Sequence, residues 1–450
     1  MNINPIDEGR YGSLEMRRLF SKEFKYKTYI EIEKELVIAL FEAGEVAKHD
    51  VDIIIHEAER YDPDLKAISD IESSTRHEVA AVIKHFSALC GEAGKYVHFG
   101  ATSSDILDTT TAIQLKKAST ILESLLTELC ELACSHAFEQ KDLIMMGRTH
   151  GQQALPITLG FKFANWADEL CRHLIRFRQL KDRLFVGKLA GAVGASAAIE
   201  TDDISIENKV MQRLGITAGN ISTQIVHRDR IAEFICFAAL LASSLDNIAT
   251  EIRNLQRTEI NELREPFGLE HQVGSSTMPH KRNPVLCENI CSLARLLRGM
   301  VIPAMENMVS WHERDLANSA NERFIIPQAC VLLEEAIRKA VLIFKDISIN
   351  RDSIDQNLRE FGQKYMAEAV MIELIKHGID RQVAYNELRS LSHLKNSDEF
   401  EMLVKNNVLI TQTLSGSIIE KLLKPENYTG HCAEKATLVA QNVLNEIKKG

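Results

Sequence analysis

Four short polar clusters carry the residue types that proton transfer and anion binding require. They are Ser74–Glu78 (STRHE), His98–Asp105 (HFGATSSD), Gly147–Gln152 (GRTHGQ) and Gly274–Pro284 (GSSTMPHKRNP). Each contains a histidine, a side chain that can hold and release a proton near neutral pH. Each also lies where a long apolar pattern is interrupted, and functional groups concentrate in loops held by rigid elements. We therefore expect these clusters to form the active region.

The fourth cluster is the most informative one. It holds two serines, Lys281, Arg282 and Asn283 without a single acidic residue, and its glycine and prolines favour a non-helical backbone. Consecutive backbone amides beside two cations can form an anion site. From its composition alone, a solvated basic turn is an equally good interpretation.

Long helices are expected to position these clusters. In three segments, apolar residues recur at alternating spacings of three and four, which is the pattern of one apolar helix face. The segments are Ala112–Met145, Leu159–Leu184 and Ile231–Leu255, and we expect the third helix to exceed 30 residues. Another helix should start after Pro284 and reach about Arg314. Alternating β-branched runs are almost absent, so the predicted fold class is all-α.

The predicted domains are an N-terminal helical domain (1–111), a central long-helix bundle (112–361) that carries the loop 270–284, and a C-terminal helical domain (362–450). Helices this long cannot bury their whole surface in one small domain. The faces opposite the stripes are apolar as well, at Ile235 and Phe237 for example. We therefore prefer a bundle completed by other subunits over a monomeric coiled-coil hairpin.

Composition excludes several classes of protein. The 450 residues include 53 Lys+Arg and 63 Asp+Glu, a net charge of −10, which argues against a general nucleic-acid binder. The N-terminal residues lack the apolar core of a secretory signal. The apolar stretch Phe234–Leu245 is shorter than the ~18 residues of a membrane span, so we expect a cytoplasmic protein. The nine cysteines lack close CxxC pairs, which favours buried reduced thiols over zinc ligands.

The loop GSSTMPHKRNP closely resembles the signature of the fumarase/aspartase superfamily, whose members release fumarate from succinyl compounds. Other segments resemble the adenylosuccinate lyase family within it, in the right order and over essentially the whole chain. They are the pair Arg10-Tyr11, RHE (76–78), VHFGATSSD (97–105), GRTHGQ (147–152), STQIVHRDR (222–230) and WHERDLANSANER (311–323).

The resemblance implies a β-elimination that yields AMP and fumarate from adenylosuccinate, and fumarate from the succinylated carboxamide imidazole ribotide of purine synthesis. It implies no metal or redox cofactor, and a homotetramer whose active sites are each built from three subunits. It makes Ser275 the base and His150 the general acid. Lys281 would help to stabilise the charge that develops, and Glu288 would orient His150.

The resemblance also implies a set of substrate-binding residues. The nucleotide half would be bound by Arg10, Tyr11, Gln224, Arg314, Ser319 and Arg323. The remaining contacts would come from Arg76, His77, Glu78, His98, Thr102, Ser103 and Asn283. A phosphate favours bidentate arginine contacts. The chain has neither a dinucleotide-binding GxGxxG unit nor a P-loop motif.

Two positions depart from the pattern of many family members. Val273 precedes the signature glycine where bacterial members often have Lys, and Ala369 stands where relatives often have Arg. The alternative function is another superfamily activity on a succinyl substrate, such as a carboxymuconate cycloisomerase-like enzyme or a different C–N lyase. The cycloisomerase branch typically lacks the histidine-bearing motifs. A non-catalytic protein built on the same scaffold would be expected to lack the base or the acid, and this chain has both.

Overall fold

The computed structural model describes residues 4–199, 206–268, 277–278, 280–360, 362–392 and 399–449. Of the chain, 69% is helical, and the described part contains 19 α-helices. The all-α fold class predicted from the sequence is therefore confirmed in its main feature, the predominance of helices.

The first half of the described chain contains nine helices and four strands. They are α1 Leu14–Leu19, α2 Lys22–Glu42, α3 Lys48–Glu59, α4 Leu65–Thr75, α5 Glu78–Leu89, α6 Ser103–Glu139, β1 Ile144–Thr149, β2 Gln152–Thr158, α7 Leu159–Leu184, β3 Val186–Gly187, α8 Ile206–Arg213, β4 Thr217–Ala218 and α9 Asp229–Leu255.

The second half of the described chain adds ten helices and two short strands. They are β5 Leu263–Arg264, α10 Val285–Gly299, α11 Val301–Glu306, α12 Ser319–Asp346, β6 Ser348–Ile349, α13 Arg351–Glu360, α14 Ala367–Lys376, α15 Arg381–Ser392, α16 Glu399–Asn406, α17 Val408–Thr413, α18 Gly416–Leu422 and α19 Cys432–Ile447. Three 3₁₀ turns cover Gly91–Tyr96, Gly362–Met366 and Pro425–Asn427.

Two compact units make up the chain. The first unit comprises residues 1–125, 174–243 and 292–338, and the second comprises 126–173, 244–291 and 339–450. The core of the first unit is built mainly from α2, α3 and α5, with α8 packed on α2. The second unit has an aromatic cluster in which His136 stacks on Phe163, with a centroid separation of 4.6 Å, and Trp166 meets Phe163 edge-on. The three-domain division predicted from the sequence stays a prediction.

Several predicted helix boundaries were wrong. The first long helix runs from Ser103 to Glu139 rather than from Ala112 to Met145, and strand β1 comes after it. Helix α9 has 27 residues, not more than 30, and is about 40 Å long. The helix after Pro284 ends at Gly299, a poor helix former, and residues 307–318 are not helical. The bounds predicted for α7 are those observed.

Three two-stranded sheets accompany the helices in the described part, a feature that the all-α prediction omitted. β1 pairs antiparallel with β2, β5 pairs antiparallel with β6, and β3 pairs parallel with β4. Gly147, Gly151 and Pro156, which follow the first long apolar stripe, therefore belong to a β-hairpin. The two hairpin strands lack an alternating run of β-branched residues, so local propensity did not predict their pairing.

Most of the thiols are buried, as the sequence predicts, whereas α9 is a longer apolar helix than the stretch Phe234–Leu245 indicated. All nine cysteines are free and eight of them are buried. Burial raises the pKa of Cys134 to about 12, which makes its thiol unreactive at neutral pH. In the described chain, α9 is the one helix that is long and apolar enough to cross a bilayer, and 61% of that apolar window is buried inside the structure. A mostly buried core helix of a soluble protein can have the same length and hydropathy.

Candidate active site

A cavity of about 730 Å³ in the first unit brings together many of the predicted substrate-binding residues. Its walls come from the α4–α5 junction, the start of α6, the segment before α9 and the segment that leads into α12. The predicted residues that line it are Arg76, His77, Glu78, Ser103, Gln224, Arg314, Ser319 and Arg323. Segments more than 200 positions apart in the sequence thus meet at one site.

Backbone strain occurs in three of the polar clusters and in the segment 311–323. Six non-glycine residues of the described chain have positive φ, and four of them are Arg76 (52°), His98 (66°), His150 (53°) and His312 (51°). Residues other than glycine rarely adopt this left-handed backbone conformation, and such strain persists mainly where the surrounding structure requires it. The geometry therefore marks these positions independently of the sequence motifs.

His77 caps a helix at the cavity wall. It is the N-cap of α5, and its Nδ1 accepts a hydrogen bond from the amide of Ala80 at 3.2 Å. A ring nitrogen that accepts must be unprotonated, so the neutral ring carries its proton on Nε2. His77 can therefore donate from Nε2 to an anionic or carbonyl oxygen, as expected of a residue that binds and orients a substrate.

Glu78 is engaged by residues that the sequence analysis missed. Lys25 lies 2.5 Å from its carboxylate, and the Tyr29 hydroxyl donates to it at 2.9 Å. Burial is the largest influence on the pKa of Glu78 and would raise it, but Lys25, Tyr29 and the charge of Arg323 together lower it below its usual value. Glu78 stays ionised and holds Lys25 and Tyr29 in place. The two partners lie on α2, in a segment without any recognisable motif.

Three arginines supply positive charge to the cavity. Arg314 donates to the Ser104 hydroxyl, and burial is the main cause that lowers its pKa. In the described chain, the guanidinium groups of Arg76 and Arg323 donate no hydrogen bond to protein, and both residues are exposed. Arg76 and Arg323 are therefore available to an anionic ligand. The Asp315 carboxylate, which also lies on the cavity wall, is occupied by hydrogen bonds from two backbone amides.

Gln224 faces the glycine-rich turn after β3. Its Nε2 donates to the carbonyl of Ala192 at 2.8 Å, and its backbone amide donates to the carbonyl of Glu313. Ala192, His312 and Leu316 also line the cavity, and none of them was predicted as a site residue. His312 lies in the quoted WHERD segment, so an available signal, a histidine beside Arg314, was overlooked.

A fully buried ion pair fixes two walls of the cavity. The ammonium of Lys188 contacts Asp105, and both side chains are inaccessible to solvent. Asp105 also accepts the amides of Ala190 and Gly191, at 3.0 and 3.1 Å. Its contact with the amide of Thr102 at 2.8 Å closes the first turn of α6 as a capping box does. Thr102 therefore helps to fix the start of α6 and does not line the cavity, whereas the next residue, Ser103, does.

Replacing Asp105 with alanine should destabilise the protein by roughly 3–5 kcal/mol, because the Lys188 ammonium would be left buried without its partner. Urea denaturation of the wild type and the variant measures the difference in unfolding free energy. The matched control is Asp168→Ala, which removes a half-exposed ion pair with Arg172 and should cost under about 1 kcal/mol. Equal losses in the two variants would contradict a structural role of the buried pair.

His98 forms a close pair with a buried carboxylate. Its Nδ1 lies 2.7 Å from Glu33 Oε1, and its backbone amide donates to Glu33 Oε2, also at 2.7 Å. Burial, the largest influence, lowers the pKa of His98, but the hydrogen bond and charge of Glu33, helped by Asp105, outweigh it and leave the pKa raised. His98 is half-buried and does not line the cavity. Its two contacts with Glu33 fix the orientation of its ring.

Arg10 and Tyr11 also lie in the first unit but do not line the cavity. The chain beyond them is fixed by two acids of α12, because the amide of Gly12 donates to Glu335 at 3.0 Å and that of Ser13 to Glu334 at 2.9 Å. Gly12 has φ 78°, and a Cβ there would lie 2.5 Å from Val331. Only glycine can therefore bring the chain this close to α12.

His150 lies at the tip of the β1–β2 hairpin in the second unit. Thr149 pairs with Gln152, so His150 and Gly151 form a two-residue loop, and both have positive φ (53° and 72°). Positive φ at both positions is the requirement of a type I′ turn, where Asn-Gly is usual. Here a histidine occupies the strained position, and its imidazole is exposed at the tip.

Lys281 and Glu288, which were predicted to be catalytic, and Asn283, which was predicted to bind substrate, belong to the second unit as well. Lys281 and Glu288 are exposed, Asn283 is half-buried, and Glu288 lies in the first turn of α10. Ser275 and the departure Val273 fall outside the described residues. Glu288 and His150 share no hydrogen bond in the described part of this single chain, and the orienting role of Glu288 stays a prediction. Ala369 is buried in α14.

Family models and known proteins match most of this chain. A family model described as Lyase matches residues 10–299, and one described as Adenylosuccinate lyase C-terminus matches residues 364–439. An adenylosuccinate lyase from Pyrococcus abyssi is 43% identical over 100% of this chain and 99% of its own length. One from Archaeoglobus fulgidus is 40% identical over the full length of both chains.

Solved structures show the same fold at lower identity. A fumarate lyase from Mesorhizobium sp. BNC1 superposes with a TM-score of 0.88 at 26% identity, over 96% of this chain and 98% of the other. The 3-carboxy-cis,cis-muconate lactonizing enzyme from Pseudomonas putida also gives 0.88, at 28% identity over 98% and 100%. The higher full-length identities distinguish between the branches: the chain belongs to the adenylosuccinate lyase family of the fumarase/aspartase superfamily.

Proposed function

We propose that this chain is a cytoplasmic C–N lyase that splits adenylosuccinate into AMP and fumarate, and that it also releases fumarate from the succinylated carboxamide imidazole ribotide. The observation that carries the proposal is the cavity of the first unit, where the guanidinium groups of Arg76 and Arg323 are exposed and donate no hydrogen bond to the described part of the protein. The substrate carries two carboxylates and a phosphate, and arginine is the side chain best suited to bind such groups. The full-length similarity to adenylosuccinate lyases supports the same substrate.

The proposed reaction is a β-elimination that needs one base and one acid. Ser275 removes a proton from the carbon next to a substrate carboxylate, the C–N bond breaks, and a carbon–carbon double bond forms in fumarate. His150 gives a proton to the leaving nitrogen. An unperturbed serine hydroxyl is a weak base, so Ser275 requires nearby positive charge and amide donors to favour its alkoxide. Lys281 supplies one such charge, and with Asn283 it holds the carboxylate whose charge grows in the transition state.

The ultraviolet absorbance of purified protein mixed with adenylosuccinate tests the proposed function. We expect a time-dependent change with the spectrum of AMP as its end point, and chromatography should find fumarate in equal amount. No change with adenylosuccinate or with the carboxamide ribotide would contradict the proposal. It would favour another lyase or a cycloisomerase-like activity on a succinyl compound.

A homotetramer with active sites shared between subunits is part of the proposal. Apolar side chains on the first unit are exposed in the single chain, including Leu240, Leu296 and Ile302, the last at 70%. These side chains lie on α9, α10 and α11, and the proposed assembly requires that other subunits cover them. Light scattering at micromolar protein should give about four times the chain mass of 50.6 kDa, and a monomer mass would contradict this assembly.

A further inference from the structure

A bidentate ion pair joins the hairpin that carries His150 to a distant part of the second unit. The Arg148 guanidinium donates to Glu262 Oε2 at 2.8 Å and to Glu262 Oε1 at 2.6 Å. Glu262 is completely buried, and the side chain of Arg148 is 16% exposed. Parallel paired contacts of this kind fix orientation as well as distance.

On the hairpin side, the ion pair lies at the base of the strained turn. Arg148 is two residues before His150, and it pairs with Gln153 in the strand register. The register shifts between Met146 and Arg148. Within the described chain, the side chains of Thr149, His150 and Gln152 donate and accept no hydrogen bonds of their own. Arg148 is therefore the side chain nearest the tip that ties the turn to the rest of the second unit.

On the other side, Glu262 belongs to a segment with many backbone anchors. Its amide donates to the carbonyl of Leu255 at the end of α9, and its carbonyl accepts the amide of Asn350, both at 2.9 Å. The Asn357 side chain donates to Glu262 Oε1 and to the carbonyl of Ile260, each at 2.8 Å. These bonds hold the carboxylate in one orientation, so it can act as a fixed point.

The same segment also holds the start of α10. The carboxylate of Glu265 accepts the amides of Leu286 and Cys287, each at 2.9 Å, and its own amide donates to the Gln256 side chain at 3.0 Å. We call residues 262–265 the anchor segment. It links the end of α9 to the start of α10, which are the two elements that flank the signature loop.

We propose that Glu262 is a positioning residue for His150 and acts through Arg148. The ion pair pins the base of the type I′ turn to the anchor segment, so the imidazole at the tip is presented in one orientation. This inference rests on the proposed function, in which His150 is the general acid. A misplacement of about 1 Å at a reacting group can cost about 100-fold in rate, and a loosened turn would produce such an error.

Glu262→Gln tests the inference, because it keeps the side-chain volume and removes the charge. We expect kcat for adenylosuccinate cleavage to fall by about 10- to 100-fold with little change in KM. Arg148→Lys should be impaired too, since lysine keeps the charge but lacks the fork geometry. The matched control is Glu251→Gln, which breaks the Lys162–Glu251 pair of the same unit (2.6 Å) and should leave kcat unchanged.

The decisive comparison repeats Glu262→Gln in a His150→Gln background. If Glu262 acts through His150, the second substitution should not lower kcat further, because residues that act as a unit are not additive. An equal drop in both backgrounds would overturn the positioning role and leave only a structural one.

Amide hydrogen exchange of residues 147–153 provides a readout that does not depend on turnover. Exchange should be faster in Glu262→Gln than in the wild type or in Glu251→Gln. Unchanged exchange would overturn the tether itself, whatever the substrate. A wild-type enzyme inactive on both succinyl nucleotides would instead refute the proposed function, and the exchange result would still decide whether the tether exists.

Discussion

The His150→Gln enzyme should lose about 10²- to 10⁴-fold in kcat, the usual contribution of a positioned general acid. The leaving nitrogen must gain a proton as the C–N bond breaks, and glutamine cannot supply one. The structure supports His150 in this role because its imidazole lies exposed at the tip of a type I′ turn, with no protein partner in the described chain. Steady-state kinetics across pH measures the effect, and the variant should lose the limb of the pH–rate profile that a histidine contributes.

The matched control for this experiment is His377→Gln. His377 is an exposed histidine of the same unit at the end of α14, where its Nδ1 contacts the carbonyl of Glu373. Its replacement should leave both kcat and the shape of the profile unchanged. If the histidine limb persists in His150→Gln, another group serves as the acid.

The Ser275→Ala enzyme should lose at least about 10³-fold in kcat while still binding substrate, because alanine has no hydroxyl to remove the proton. The resemblance assigns Ser275 as the first serine of the signature loop. Rapid mixing of excess enzyme with adenylosuccinate measures the rate of a single turnover, and calorimetry measures binding. Together they separate loss of chemistry from loss of affinity.

Ser276→Ala, at the second serine of the loop, is the matched control for Ser275→Ala. It removes a hydroxyl of the same kind one position away, and we expect a much smaller decrease in the single-turnover rate. Near-normal turnover in Ser275→Ala would refute the assignment of the base. Loss of binding in Ser275→Ala with an unchanged bound-state rate would make Ser275 a binding residue instead.

The helix pattern of the chain was largely predictable from the sequence. Helix α7 was predicted with its observed bounds, and α9 begins two residues before the predicted stripe. A period of three and four reports directly which face of a helix is apolar. Helix ends depend on local capping and on the residues beyond the last turn, so the predicted ends of α6 and of the helix after Pro284 were wrong. The β1–β2 hairpin was missed because its strands lack the alternation of β-branched residues.

Part of the candidate site was predictable as well. The clusters around His77, Ser103 and Arg314 were identified from residue types and from the family resemblance, and the structure places them around one cavity. Lys25, Tyr29 and Lys188 were not predicted, because a lysine or tyrosine within a helical pattern or a glycine-rich turn looks like any solvated or packed residue. Only their contacts with Glu78 and Asp105 reveal their function.

The sequence by itself determined the family, the long helices and the residue types that carry the chemistry, because these depend on local patterns and on a specific motif. Only the tertiary structure decided which distant charges meet. The Arg148–Glu262 pair spans 114 positions and the Lys188–Asp105 pair spans 83. Sequence spacing has no bearing on such contacts, since the burial that makes an ion pair specific arises only when the helices pack.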